Sequence, residues 1–297
     1  MYKNYHRLPL AALLAACCMG AVAQNHSELP PILKDMPQSG SMCRNERLPG
    51  AALSGHARQG GVEASCALPV SGIGSFLQKG RAAVIDTRQE VDFAQFHMPN
   101  AMRMDAATIR SKEYLRDKPL LLVGDGKSDR DLYAHCGQLR SQGFRSVQVL
   151  TGGIAGYLAA GSTVSGRTAP SAFEAAQLDP AQLWAQSQFV ESLVVVVNSP
   201  ATAELLPLAS RVADAGAQAI GSAVERRRRE RKGLLANVTV AIEGPMTEES
   251  FRQYSQAVAP TPLLVYAGGS VALKTFLRSQ EAAWAAMARG PKQPRCG

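Results

Sequence analysis

The sequence lacks several patterns that would each have assigned the protein to a class. None of its 6 cysteines forms a CxxC pair, the spacing on which disulfide-exchange motifs depend. After the N-terminal leader, no run reaches the about 18 apolar residues that a membrane helix needs. Hydrophobic residues make up 46% of the chain and charged residues 19%, which excludes a disordered or collagen-like protein. A chain of 297 residues with this composition is predicted to contain about two globular domains.

The N-terminus has the features of a bacterial export signal, assigned to residues 1–23. A basic start precedes an apolar stretch, Leu8 to Ala16, and the small residues Ala21-Val22-Ala23 form a cleavage site. A second signal overlaps the first, because Leu14-Ala15-Ala16-Cys17 resembles a lipobox, at which a lipoprotein is cut and acylated. Both interpretations predict export. The product is either a periplasmic protein or a lipoprotein tethered to the membrane through Cys17.

Four cysteines follow the leader, namely Cys43, Cys66, Cys136 and Cys296. An oxidising compartment permits two disulfides, but four cysteines allow three pairings and spacing alone does not choose among them. One candidate is Cys43–Cys66, which would close a loop of about two dozen residues and stabilise the N-terminal arm by about 2 to 4 kcal/mol. That loop lies in an irregular arm, residues 24–69, which is rich in Pro, Gly and Ser.

The formal net charge is +8, and its densest segment is Arg226 to Lys232. Such a run can bind nucleic acid or anionic membranes. Glu225 and Glu230 interrupt it, good helix formers surround it, and no aromatic residues lie among the arginines. The segment is therefore interpreted as the solvated face of a helix, and no nucleic-acid partner is expected.

Beyond the arm, short apolar strands alternate with helices, a pattern typical of an α/β fold with a parallel sheet. A Gly-, Ser- and Thr-rich stretch from Gly161 to Pro170 separates two such units. We assign the units to residues 70–162 and 189–290, with a linker and connecting helix at 163–188 and a tail at 291–297.

The first unit resembles the rhodanese family through several motifs in the family's order. They are Val84-Ile85-Asp86-Thr87-Arg88, Phe96-His97-Met98-Pro99-Asn100-Ala101, and Leu150-Thr151-Gly152-Gly153. The resemblance implies a rhodanese-like parallel sheet and, in active members, sulfur transfer through a cysteine. Asp86, Arg88 and His97 belong to this signature and are interpreted as scaffold positions.

The loop in which the family carries its nucleophile has no cysteine in this sequence. Counting forward from the strand Leu120 to Val123 places the position at Gly124, and counting back from Gly143-Phe144 places it at Gly126. The loop, Gly124-Asp125-Gly126-Lys127-Ser128, therefore has an insertion of two residues and contains no thiol under either count. Cys136 lies two turns into the next helix, where Leu132, Cys136 and Leu139 have the spacing of a buried stripe.

The second unit is similar to the thioredoxin fold, on the order and spacing of its segments. Val194 to Val197 would be the central strand, followed by a long helix from Ala203 to Ala215. Counting back from Pro207 places the family's CxxC at Ser199 to Thr202, where hydroxyls cannot replace a thiolate. Ser199 and Thr202 are interpreted as helix-capping residues. The resemblance implies a cis Thr261–Pro262 bond packed against Ser199, with a peptide groove beside it; a remote Pro262 would remove the assignment.

Both resemblances imply thiol chemistry, and both units lack the nucleophile. The sequence therefore favours an exported, non-catalytic module that binds a protein or peptide in the periplasm. It would need no cofactor or metal and would serve a cell-envelope system such as a conjugation or secretion apparatus. The alternative is a sulfurtransferase or thiol oxidoreductase that uses Cys136 or Cys296. A third interpretation is an anion or nucleic-acid binder that uses Arg226 to Arg231.

Overall fold

The computed structural model describes residues 63–80 and 82–288, which all lie in one compact unit. The export signal, Cys17, Cys43, Cys296 and most of the irregular arm lie outside the described residues. Within them, no helix combines the length and the apolar composition needed to cross a bilayer.

The first half of the described chain is built on a five-stranded sheet in the order β1-β6-β5-β2-β4, with every neighbouring pair parallel. A separate antiparallel ribbon joins β3 to β7. The strands are β1 (Ala67–Leu68), β2 (Ala83–Asp86), β3 (Phe96–His97), β4 (Met102–Arg103), β5 (Pro119–Val123), β6 (Ser146–Leu150) and β7 (Ser165–Gly166). The central strand β5 is apolar throughout and buried on both faces, as expected in a parallel sheet.

Helices connect these strands and cover both faces of the sheet. They are α1 (Ile73–Leu77), α2 (Glu90–Gln95), α3 (Ala106–Ile109), α4 (Asp129–Ser141) and α5 (Gly153–Ala159), with 3₁₀ turns at Ala64–Cys66, Val70–Gly72 and Glu113–Leu115. Helix α4 turns Leu132, Cys136 and Leu139 into the core, so the predicted buried stripe is confirmed.

The second half has a four-stranded sheet in the order β11-β10-β8-β9, which is also parallel at every pair. Its strands are β8 (Ser192–Val197), β9 (Ser210–Val212), β10 (Asn237–Ile242) and β11 (Leu263–Tyr266). The chain starts in the middle of this sheet, adds β9 on one side, and then returns to add β10 and β11 on the other. The predicted α/β class with parallel sheets is confirmed for both halves.

The helices of the second half follow the apolar pattern of the sequence. They are α6 (Ala172–Ala176), α7 (Pro180–Ser187), α8 (Pro200–Leu205), α9 (Ala217–Glu230), α10 (Glu248–Val258) and α11 (Gly269–Ala288). Helix α10 begins where the Thr247 side chain accepts the backbone N–H of Ser250 at 3.1 Å, and it buries Phe251, Tyr254 and Val258 along one face.

The long helix predicted from Ala203 to Ala215 is wrong. Helix α8 ends at Leu205, and Leu206 leaves the helical region with φ −123° and ψ 74°. Pro207 has no N–H to donate, and its ring would clash with the preceding turn, so the helix stops before it. The chain then turns and enters β9, which the sequence did not predict.

The two halves share apolar core. Phe189 and Ala236 come from the second half, yet they pack in the cluster that contains Cys66, Tyr133 and Cys136 of the first half. The Tyr133 and Phe189 rings lie with their centroids 6.2 Å apart.

Candidate functional site

The candidate site lies at the carboxyl ends of β2 and β5, where two loops face each other. The loop after β5 is Gly124–Ser128, the segment that the rhodanese resemblance singled out. Together with the loop after β2 it borders a cleft of about 310 Å³. Side chains that line this cleft include Thr87, Arg88, Asp92, Asp125, Asp129 and His135.

A buried ion pair fixes the loop after β2. The Arg88 guanidinium donates to both carboxylate oxygens of Asp86, with Nη2 2.7 Å from Oδ2, and it also donates to the Phe96 carbonyl at 2.6 Å. The Thr87 hydroxyl donates to the Val123 carbonyl at 3.0 Å and so ties this loop to the end of β5. Asp86 and Arg88 are both buried. The structure therefore gives them a scaffold role.

His97 also has structural contacts. Its Nδ1 lies 2.8 Å from the Phe93 carbonyl, and its ring stacks on that of Phe93 with centroids 4.1 Å apart. His97 is not among the residues that line the cleft.

The conformation of the loop Gly124–Ser128 is fixed by the Asp125 side chain and by the glycines at 124 and 126. Asp125 Oδ1 accepts the backbone N–H groups of Lys127 at 2.7 Å and Ser128 at 3.0 Å. Gly126 has φ +87°, and a Cβ there would lie 2.1 Å from the Gly152 carbonyl oxygen. A Cβ on Gly124 would lie 2.7 Å from the Leu132 side chain. At Gly126 a side chain would clash with the backbone, whereas at Gly124 it would require the Leu132 and Asp129 side chains to move.

Asp129, the first residue of α4, is the unusual group of the site. Its side chain belongs to a residue only 2% exposed, and Oδ1 has no hydrogen-bond partner within the described residues. Burial raises the pKa of Asp129 to about 8, the charge of Asp125 acts in the same direction, and the backbone N–H groups of Gly126 and Gly152 oppose the shift. The carboxyl group is therefore largely protonated at neutral pH.

The second half of the protein covers one side of the loop. From α7, the Gln186 side chain donates to the Lys127 carbonyl. Pro262 packs on the turn at Gly152, where an added Cβ would lie 2.4 Å from the proline ring. Burial lowers the pKa of Lys127, while the charges of Asp125, Asp179 and Asp92 act to raise it. The second half thus contacts both the loop and the neighbouring turn at Gly152.

The predicted Cys43–Cys66 disulfide is wrong, because Cys66 is bonded to Cys136, with Cα atoms 6.2 Å apart. Parallel pairing of β1 with β6 brings the segment before β1 alongside α4, which packs on the same strand. Arg140 adds to this contact by donating to the Ser65 carbonyl at 2.9 Å. Cys136 is therefore buried as predicted, but as a half-cystine rather than a free thiol.

The site predicted in the second half is not assembled. The prediction of a cis bond before Pro262 is wrong. Among the described residues, the cis peptide bond is Ala259–Pro260. Leu263, which follows Pro262, pairs through Val238 with Leu193 at the start of β8, whereas Ser199 follows the other end of that strand. Pro262 and Ser199 thus lie at opposite edges of a parallel sheet, and the groove between them does not exist. The thioredoxin-like assignment and the peptide groove predicted with it are therefore both wrong.

Ser199 has the predicted capping role, whereas the Thr202 hydroxyl instead donates to Glu243 at 3.2 Å. The Ser199 hydroxyl oxygen accepts the Thr202 N–H at 3.2 Å and the hydroxyl donates to Glu243 at 2.7 Å. The Ser270 N–H also donates to Glu243 at 3.0 Å, so one carboxylate joins the starts of α8 and α11. These hydrogen bonds, the Ser199 hydroxyl first, lower the pKa of Glu243.

Sequence reasoning missed three residues of these sites: Asp129, Gln186 and Glu243. Nothing in the sequence marked the burial of Asp129. Gln186 and Glu243 act through contacts between distant segments. The one available signal was the position of Glu243 directly after a buried strand.

Comparison with known protein families agrees with the fold described for the first half of the protein. A family model described as rhodanese-like domain matches residues 74–160. No curated protein matches the chain. Among solved structures, the Alr3790 protein from Anabaena sp. is 23% identical over 33% of this chain and 81% of that one, with a TM-score of 0.30.

Two enzymes are also among the similar structures. Thiosulfate sulfurtransferase from Pseudomonas aeruginosa is 19% identical over 71% of this chain and 42% of that one, with a TM-score of 0.30. The 3-mercaptopyruvate sulfotransferase SseA from Escherichia coli is 13% identical over 69% of this chain and 99% of that one, also with a TM-score of 0.30. On the family match and its parallel sheet, residues 74–160 of this chain are a rhodanese-like domain.

Proposed function

We propose that the protein is an exported, non-catalytic binding module of the cell envelope, whose rhodanese-like domain no longer transfers sulfur. The observation that carries this proposal is the position of the Asp129 carboxyl group. It faces the backbone N–H groups of Gly126 and Gly152 at the start of α4, at the loop where an active relative would hold its nucleophile.

Sulfur transfer needs a thiolate stabilised by N–H donors and by a helix N-terminus. In this chain the loop Gly124–Ser128 supplies no cysteine, and the N–H groups of Gly126 and Gly152 act on the Asp129 carboxyl group instead. The Gln186 side chain holds the Lys127 carbonyl from the opposite side, which leaves the loop little freedom to rearrange. Cys136, the nearest cysteine along the chain, is bonded to Cys66. These contacts favour a binding role over the alternative of an enzyme that uses Cys136.

Export is supported by the buried Cys66–Cys136 disulfide, because such bonds persist in oxidising compartments. The partner that we propose is a protein or peptide in the periplasm, with no nucleic acid and with the membrane reached only through a lipid on Cys17. Intact mass tests this part: the mature chain should begin at Gln24 or at an acylated Cys17. A full-length cytoplasmic product would contradict both. Neighbouring genes for a conjugation or secretion apparatus would supply the wider setting.

The central test is thiocyanate formation from thiosulfate and cyanide by the purified chain. We expect the rate to equal that of buffer, in oxidised and in reduced protein alike. A rate above background that disappears in Cys136→Ser or Cys296→Ser would overturn the proposal and restore the enzyme interpretation.

A further inference from the structure

The cleft beside the loop Gly124–Ser128 is acidic, and one of its acids is unsatisfied. Carboxyl groups of Asp92, Asp125, Asp129 and Asp131 line it. An acidic cluster on a surface is ordinary, because water solvates each charge. Asp129 differs, since the residue is 2% exposed and Oδ1 has no hydrogen-bond partner within the described residues. An unpaired buried carboxyl oxygen is costly, and a donor that enters the cleft would remove that cost.

The basic side chains around the cleft do not form a hydrogen bond with Asp129 Oδ1. The Arg88 guanidinium is bound to Asp86 on both oxygens and to the Phe96 carbonyl. His135 lines the cleft from α4. Lys127 is on the loop itself, where Asp125, Asp92 and Asp179 act on its charge. The lining therefore carries more acidic than basic groups, the reverse of an anion-binding pocket.

We propose that this cleft binds a primary ammonium group, which donates to Asp129 Oδ1 and to the neighbouring aspartates. This inference rests on the proposed function and gives the binding module a ligand chemistry. An ammonium is a compact charge with three donors that can point to different acceptors. A guanidinium favours two parallel bonds to one carboxylate. Asp129 offers one unpartnered oxygen, which fits the ammonium.

The geometry also argues against a metal ion as the preferred ligand. Among the residues that the structure describes, no group of His, Cys, Asp and Glu side chains is arranged to hold one. The cleft volume of about 310 Å³ is at the small end of ligand pockets, which suits a lysine side chain or a small amine.

Binding is coupled to the proton on Asp129. Burial and the charge of Asp125 raise the pKa of this carboxyl to about 8. Below that pH the ammonium must displace the proton, which passes to solvent, while the ligand keeps all three of its own. The facing groups are Arg88 on the opposite loop, Asp92 on α2, and Asp131 and His135 on α4. Affinity should rise by about tenfold per pH unit up to about pH 8 and then level off.

The test is a calorimetric titration of the full exported chain with n-butylammonium chloride from pH 6 to pH 9. Wild type should bind n-butylammonium saturably, with the stated pH dependence. Because binding releases a proton, the measured heat of binding should differ between buffers of different ionisation enthalpy. Asp129→Asn should lower the affinity at pH 8 by about tenfold or more and remove the proton release. The matched control is Asp117→Asn, which removes an aspartate on an exposed ion pair with Arg145 and should change neither.

Four results would overturn the inference: no saturable binding by wild type, unchanged binding by Asp129→Asn, tighter binding of n-butylguanidinium, or saturable Mg²⁺ or Ca²⁺ binding that depends on Asp129. A lysine tripeptide represents a protein partner and butane-1,4-diamine represents a free amine. If either one binds more tightly than n-butylammonium, the result supports the site and indicates which kind of ligand it prefers. Thiocyanate formation separates the two proposals. Background turnover without ammonium binding rejects only the ligand, whereas turnover above background rejects the non-catalytic function.

Discussion

Reduction of the Cys66–Cys136 disulfide should destabilise the protein by a large and calculable amount. The two half-cystines are 70 residues apart in sequence. Cross-linking a loop of this length removes about 4.4 kcal/mol of loop entropy from the unfolded chain, by the chain-entropy relation. Both sulfurs are in residues with 0% exposure, in the core cluster that both halves share. Loss of the bond should therefore weaken the whole unit rather than a loose end.

The measurements are urea unfolding and thermal unfolding of the oxidised and the reduced protein, each monitored by far-UV circular dichroism. A destabilisation of about 4.4 kcal/mol corresponds to a melting temperature lower by about 9 to 18 °C for a unit of this size. Cys43→Ser/Cys296→Ser serves as the control, because it removes the other cysteines outside the leader and should keep the full effect of reduction. The reasoning would be refuted by a difference under about 1 kcal/mol. It would also be refuted if peptide mapping found Cys66 bonded to Cys43.

Three further predictions concern the loop and its surroundings. Gly126→Ala should lower the free energy of unfolding by about 2 kcal/mol or more, because it strains a positive φ and drives a Cβ into a backbone carbonyl. Asp129→Asn should become more stable relative to wild type as the pH rises from about 4 to 8, by up to about 1.4 kcal/mol per pH unit. In this pH range Asp129 of the folded wild type keeps a proton that the unfolded chain has lost, so wild type loses stability as the pH rises. Gln186→Ala should lower the free energy of unfolding by about 1 to 3 kcal/mol, measured by urea unfolding, because it leaves the partly buried Lys127 carbonyl unpaired.

Two of these changes have a control variant in the same chain. A Cβ added at Gly137, inside α4, meets nothing within 4 Å, so Gly137→Ala should leave stability unchanged or raise it by up to about 1 kcal/mol. Exposed Gln218→Ala should change stability by less than about 0.5 kcal/mol. Loss of stability in these controls as large as in the test variants would contradict the assigned contacts. So would a flat pH profile for the difference between Asp129→Asn and wild type.

The sequence was informative wherever one segment decides its own structure. The buried strands β5, β8 and β10 are apolar runs, and α10 is defined by its Thr247 cap and its stripe of buried residues. The loop without cysteine could be located from flanking motifs alone. Strand β9 was missed because it has only 3 residues, and the partner that makes it a strand lies elsewhere in the chain.

Features that depend on two distant segments could not be predicted. The pairing of Cys66 with Cys136 follows from the register of β1 on β6, which spacing does not encode. Asp129 looks favourable in sequence, because a carboxylate in the first turn of a helix interacts well with the helix dipole. Its burial comes from the turn at Gly152 and from Gly124 and Gly126 around it, which no local pattern reveals.

The shared core has a practical consequence for cutting this chain into parts. A fragment that ends at residue 160, where the family match ends, would discard Phe189 and Ala236 and leave the cluster around the disulfide partly uncovered. It would also discard β7, so the edge of β3 would lose its backbone partner. Domain borders taken from family matches therefore do not mark a unit that can be expressed alone from this protein. The fragment that keeps its apolar surface covered extends through α11, whose Leu273 and Leu277 are buried in the core of the second half.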